Sequence, residues 1–111
     1  MSSQTSRSEP VHVESTEQFE ELTSEGIVLV DYHADWCGPC QMLAPTVEEL
    51  AAEVDDLTVL KVDVDEHQAL AQEAGVRGIP ALQFYADGEE AERLVGVQEK
   101  EDLLDVVESL R

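Results

Sequence analysis

A chain of 111 residues, 42% of them hydrophobic, is the length of one ordinary domain and can fill one core, which excludes a wholly disordered chain and leaves no room for a second domain. Six Lys or Arg stand against 26 Asp or Glu, a formal net charge of −20. That balance excludes nucleic acid and anionic membranes as partners, because both need clustered positive charge.

Residues 1–10 read as a flexible polar extension and residues 11–111 as the domain. Met1 to Glu9 is polar and rich in Ser, with no apolar run for a signal-peptide core or a membrane span, so a cytoplasmic chain is expected. Repeats and low-complexity segments are not visible in the remainder. Val11 to Glu14 suggests a short strand. Ser15 followed three residues later by Gln18 is a capping-box signature for a helix running to about Ser24, burying Phe19 and Leu22 and ended by Gly26. Ile27 to Tyr32 is apolar on both alternating faces, as in a central strand covered on both sides.

A helix then opens at Cys37. Leu43, Val47, Leu50 and Val54 form one stripe along it, and Pro45 lies inside that stripe; the stripe continues past the proline, which predicts one kinked helix rather than two. Leu57 to Val62 is a second buried strand, Gln68 to Ala74 a short helix ended by Gly75, and Ala81 to Tyr85 a third central strand. Asp87-Gly88 signals a hairpin into Ala91 to Val95, and a last helix from Lys100 to Leu110 buries Leu103, Val107 and Leu110. The order βαβαβ and then αββα predicts an α/β sandwich around a mixed sheet, parallel first and antiparallel later.

The chemistry concentrates in Trp36-Cys37-Gly38-Pro39-Cys40. Two cysteines in a reducing compartment make a poor permanent staple, which favours a metal or redox role. At a helix start, unpaired N–H groups and the macrodipole favour an anion, so the Cys37 thiolate is stabilised. Pro39 suits the first turn, where its missing N–H is not needed, and Cys40 lies on the same face as Cys37. Cys37 can attack a disulfide and Cys40 can resolve the mixed disulfide. The alternatives are a zinc site or two inert thiols. Structural zinc usually takes four ligands, yet there is no second CxxC and His12, His33 and His67 are scattered, so no metal is assigned. Inert thiols fit poorly with a helix start, which is an exposed position. Asp31, in a doubly covered strand, must be neutral or hydrogen-bonded.

The segment Val30-Asp31-Tyr32-His33-Ala34-Asp35-Trp36-Cys37-Gly38-Pro39-Cys40 resembles the active-site segment of the thioredoxin family. Arg77-Gly78-Ile79-Pro80 and Asp87-Gly88-Glu89 resemble its second and third signatures. The likeness runs from about Val11 to Leu110. It implies a thioredoxin fold, a central mixed five-stranded sheet flanked by four helices, with no bound cofactor and a redox-active Cys37–Cys40 disulfide. It also implies proton transfer by Asp31, with Lys61 tuning it; alone, that lysine reads as a surface charge. Pro80 is expected cis by resemblance, against the base rate for an X–Pro bond. Trp36, Gly38, Pro39, Val64, Gly78, Ile79, Pro80, Val95, Gly96 and Val97 fall where the family builds an apolar docking surface, on which Ile79 can pair with an extended substrate. Trp36, the only tryptophan, sits beside the nucleophile rather than in a periodic stripe and reads as a docking residue on its own.

Three departures stand out: His33 where the family often has Trp, Ala81 where Thr commonly follows the proline, and Gln41 in place of a frequent basic residue. Together with Asp35, the last makes the site more acidic, raising the thiol pKa and disfavouring acidic substrates. His33 is either a packing substitute or a titrating group near neutrality.

The leading function is a cytoplasmic, monomeric protein-disulfide reductase. It would be recharged by thioredoxin reductase and would serve peroxiredoxin, methionine sulfoxide reductase or ribonucleotide reductase. Gly38-Pro39 favours reduction over the disulfide isomerase or oxidase of the same fold; a redox-idle binding subunit is the other alternative. The acidic surface itself suits a very salty cytoplasm, against an acidic docking patch for a basic partner. Self-repulsion reaches about 30 Å at 0.01 M salt and only about 3 Å at 1 M. The thermal midpoint should therefore rise between dilute buffer and molar KCl, and equal midpoints would reject the salt-adapted reading.

Overall fold

A computed structural model describes residues 8–111, so most of the polar extension expected at residues 1–10 lies outside the described residues. The elements in chain order are β1 (Val11–His12), α1 (Thr16–Leu22), β2 (Ile27–His33), α2 (Gly38–Glu53), β3 (Leu57–Asp63), α3 (Gln68–Ala74), β4 (Ala81–Ala86), β5 (Glu89–Val95) and α4 (Lys100–Leu110). They build a five-stranded sheet in the order β1-β3-β2-β4-β5. β1, β3 and β2 run parallel, whereas β4 is antiparallel to β2 and to β5. The α/β sandwich with a mixed sheet and four helices is thus the observed architecture.

Strand alternation sorts the core into two layers. Leu29, Leu57, Val59, Leu82 and Phe84 meet Leu43, Val47 and Leu50 of α2 and Leu103 and Val107 of α4. On the other face Val28, Val30, Tyr32, Leu60 and Val62 meet Phe19 of α1 and Leu70 of α3. α2 runs unbroken through Pro45, which is exposed, because the apolar stripe on its opposite side stays packed.

Several boundaries differ from expectation, each for a local reason. β1 keeps only two residues, although the Val13 N–H still donates to Lys61 O at 2.9 Å. α1 stops at Leu22 because Thr23 caps it: its hydroxyl and its backbone N–H both donate to Phe19 O, at 2.9 and 3.0 Å. The Ser15 hydroxyl accepts from the Gln18 N–H at 3.1 Å, but Gln18 Oε1 reaches back to the N–H of Glu14 rather than of Ser15. β5 begins at Glu89, directly after a two-residue turn in which Asp87 and Gly88 have φ of 50° and 91°, the paired positive values of a type I′ hairpin. Asp87 also pins this hairpin to the loop before β2, accepting from the Gly26 N–H through Oδ1 and donating its own N–H to Gly26 O, both at 2.9 Å. Leu22 and Leu110 are only half-buried.

Leu50 lies in the α2 layer with no exposed surface. Leu50→Ala should lower unfolding stability by about 2–5 kcal/mol, seen as an earlier urea midpoint at unchanged slope in molar KCl; a midpoint like the parent's would mean that this layer is not the core.

Candidate active site

The C-terminal end of β2 delivers the chain to the first turn of α2. Cys37 is the N-cap of that helix, with its Sγ accepting the Cys40 N–H at 3.2 Å, and Pro39 stands within the first turn. Cys37 and Cys40 are joined as a disulfide with their Cα atoms 5.3 Å apart. Neither sulfur-bearing residue is exposed as a helix start had suggested: Cys37 and Cys40 keep 4% and 5% of their surface, because Ala34, Val64 and Ile79 close over them from three separate segments. Gly38, Pro39 and Trp36 remain exposed beside them, Trp36 at 70%. Its indole Nε1 donates to Asp65 Oδ2 at 2.9 Å, and Asp65 is itself held by donating its N–H to Asp63 Oδ1 at 2.9 Å.

Two loops border the pair. The Ile79–Pro80 peptide is cis. Pro80 O accepts the Gly96 N–H at 2.8 Å, which ties this loop to the one after β5. Gly78 faces Val95 at a distance where an added Cβ would just touch it, 3.7 Å. Val95 and Val97 are exposed at 61% and 47%. Trp36, Val64, Val76, Arg77 and Ile79 line a groove of about 190 Å³ next to the disulfide.

Asp31 sits on β2 in register with Lys61 of β3 and Leu82 of β4. Only 1% of Asp31 is exposed, and its Oδ2 lies 4.0 Å from Lys61 Nζ. Burial pushes its carboxyl up to about 6, against the pull of the Lys61 ammonium. His33, two residues further along the same strand face, has a ring edge-on to His12 at 6.5 Å. Among the described residues no group of three or more His, Cys, Asp or Glu is arranged to hold a metal ion.

The residues read from the sequence therefore fall into three neighbourhoods. Cys37, Cys40, Val64 and Ile79 pack together; Asp31 and Lys61 face each other across adjacent strands; Gly78, Pro80, Val95, Gly96 and Val97 form the joined loops. Sequence reasoning gave no role to Asp65, the anchor of the indole, or to His12. An aspartate in a loop and a histidine on a short edge strand carry no local signal of either role.

A helix-capping disulfide CxxC, fed by a central strand and flanked by a cis-proline loop, defines a thiol–disulfide oxidoreductase. The thioredoxin family model matches residues 10–109, and the chain belongs to the thioredoxin family. The thioredoxin of Bacillus subtilis strain 168 is 50% identical over 97 residues, covering 86% of this chain and 93% of that protein. Among solved structures, a mutant thioredoxin from Halobacterium salinarum superimposes with a TM-score of 0.89 at 50% identity, over 94% of this chain and 92% of that one. A structure concerned with the thiol resolving mechanism in yeast mitochondrial 1-Cys peroxiredoxin via glutathione/thioredoxin systems matches with a TM-score of 0.84 at 25% identity, over 94% and 98% of the two chains.

The raised carboxyl of Asp31 has a consequence for stability. Below its ordinary value of 3.8 the group is neutral folded or unfolded and carries no cost of ionisation; above about 6 it is charged in both states, and the cost of burying the charge reaches about 3 kcal/mol. Asp31→Asn should therefore stabilise the fold by up to about 3 kcal/mol at neutral pH, with the gain fading as pH falls toward the lower value. Urea midpoints across pH check this, and a pH-independent difference would contradict the assignment.

Proposed function

We propose that the protein is a cytoplasmic electron carrier that reduces protein disulfides, with Cys37 as attacking thiolate and Cys40 as resolving thiol. The observation that carries this reading is the buried disulfide capping α2, with Cys37 Sγ already accepting a helix N–H, a setting that lowers the cost of a thiolate there. In the reduced protein Cys37 attacks one substrate sulfur, the substrate S–S bond breaks, and the leaving sulfur takes up a proton. Cys40 then gives up its proton, and its thiolate attacks Cys37 Sγ. The second substrate sulfur leaves as a thiolate, so the substrate gains two electrons and the protein holds the disulfide.

Asp31 is the proton acceptor for Cys40. A carboxyl titrating at about 6 is close enough to neutrality to take and return a proton, and Lys61 at 4.0 Å keeps it from rising further. Trp36, Gly38, Pro39, Val64, Gly78, Ile79, Pro80, Val95, Gly96 and Val97 form the docking surface, where apolar contact and backbone pairing at Ile79 do the recognising. Thioredoxin reductase returns the electrons, and oxidised peroxiredoxin, methionine sulfoxide reductase and ribonucleotide reductase are the substrates; the yeast peroxiredoxin structure supports the first of these. No cofactor is needed for the exchange, and the protein works as a monomer in a salt-rich cytoplasm, a reading supported by its net charge of −20.

Insulin precipitation driven by dithiothreitol in molar salt tests the reading. The parent should accelerate it, Cys37→Ser should abolish the acceleration, and Cys40→Ser should accumulate mixed disulfides with its targets. Full activity of Cys37→Ser, or an inert parent, would reject the reductase assignment.

A further inference from the structure

Two buried side-chain atoms of β2 have no hydrogen-bond partner among the described residues, Asp31 Oδ1 and His33 Nε2. His33 borders a cavity of about 280 Å³ that it shares with Cys40, Lys61, His12, Asp35 and Gln41. A second cavity, of about 430 Å³, also has His12 and Lys61 in its walls and carries the exposed acids Glu9 and Glu48. The second is the more polar of the two; in the first, His33, Lys61, Asp35 and Gln41 stand beside the apolar Ala34 and Ala44, and both are large enough for several waters. The groups facing His33 come from every neighbouring element: His12 from β1, Lys61 and Asp63 from β3, Asp31 from its own strand, Asp35 from the following loop and Cys40 from α2.

We propose that His33 is a second acceptor for the Cys40 proton in the resolving step, reached through water in this cavity by a route separate from Asp31. Burial, then the Lys61 ammonium, holds the imidazole below its ordinary 6.5, with Asp63 and Asp35 opposing and His12 adding to the lowering. It is therefore neutral at pH 7, and a neutral imidazole always has one ring nitrogen free to accept. As Cys40 attacks Cys37 Sγ and the substrate thiolate departs, the Cys40 proton passes to the imidazole. The adjacent ammonium disfavours the imidazolium, so the proton moves on through cavity water past His12 toward solvent. This inference rests on the redox reading of Cys37 and Cys40 but not on the role given to Asp31.

The test mixes reduced protein with a small aromatic disulfide whose two thiolates absorb visible light. The first release reports attack by Cys37 and the second reports resolution by Cys40, followed from about pH 5 to about pH 8. In Asp31→Asn the second phase should keep an acid limb set by a group titrating below 6.5. Adding His33→Gln should remove that limb and slow the second phase at neutral pH by about tenfold, below the usual range for a positioned base because the proton crosses water. The first phase should not change. His33→Asn serves if the Gln variant does not fold, and an NMR titration of the parent should give different His33 midpoints in the oxidised and reduced proteins. Superimposable second-phase profiles with and without His33, equal slowing of both phases, or one His33 midpoint in both redox states would overturn the inference and leave the reductase reading intact. A parent that releases no thiolate would overturn both.

Discussion

The double burial of β2 is the constraint on which the rest depends. The strand is bonded along both edges, to β3 and to β4, and packed on both faces, so the side chains from Val28 to Tyr32 cannot turn toward water. Its apolar residues satisfy that condition simply. Asp31 satisfies it only by being neutral or by having a charge brought to it, and His33, at the half-buried end of the strand, meets it in part. The unusual protonation behaviour of the site is thus a property of where the strand lies, and the helix start after it inherits a fixed position from the same packing. A central strand that cannot shift delivers Cys37 to one place, with Cys40 a helical turn beyond it.

Much of this was legible because the relevant patterns are local. A run such as Ile27 to Tyr32 with no polar face has few homes other than the middle of a sheet, and the α2 stripe and the Asp87-Gly88 turn state their geometry within a few residues. The burial of the cysteines was not legible, since besides the neighbouring Ala34 it is Val64 and Ile79, far away in sequence, that cover them. The same holds for the Tyr32 hydroxyl, which donates to Gln83 Oε1 at 2.7 Å across 51 positions, and for the bond from Trp36 to Asp65. Propensity places the cap of α1 after its apolar positions, whereas Thr23 ended it early by a side-chain bond that competes with the helix. The cis geometry at Pro80 ran against base rates and was expected by resemblance alone.

Charge shapes the surface as strongly as packing shapes the interior. Of the six Lys and Arg residues, Arg7 lies outside the described residues, and Lys61, Arg93, Lys100 and Arg111 each come within 4.0 Å of a carboxylate. Arg93 closes a small polar chain, gripping Glu90, which in turn accepts from the Gln83 amide. Arg77 makes no such pair among the described residues and stands on the rim of the groove beside the disulfide. The uncompensated acids are therefore spread over the outside, where their mutual repulsion answers to salt.

The two margins of the sheet show a further effect of this distribution. A protein that offers backbone to extended partners at one loop risks offering it elsewhere, because any bare strand edge can template aggregation. Here β1 is two residues long and preceded by Pro10, which has no N–H to give, and β5 carries Glu89, Glu90, Glu92 and Arg93 along most of its length. Neither margin is a welcoming template for another chain. On the proposed docking reading, strand addition is left to the loop beside the sulfurs, and the molecule can stay dispersed at high concentration while that loop remains open to extended segments.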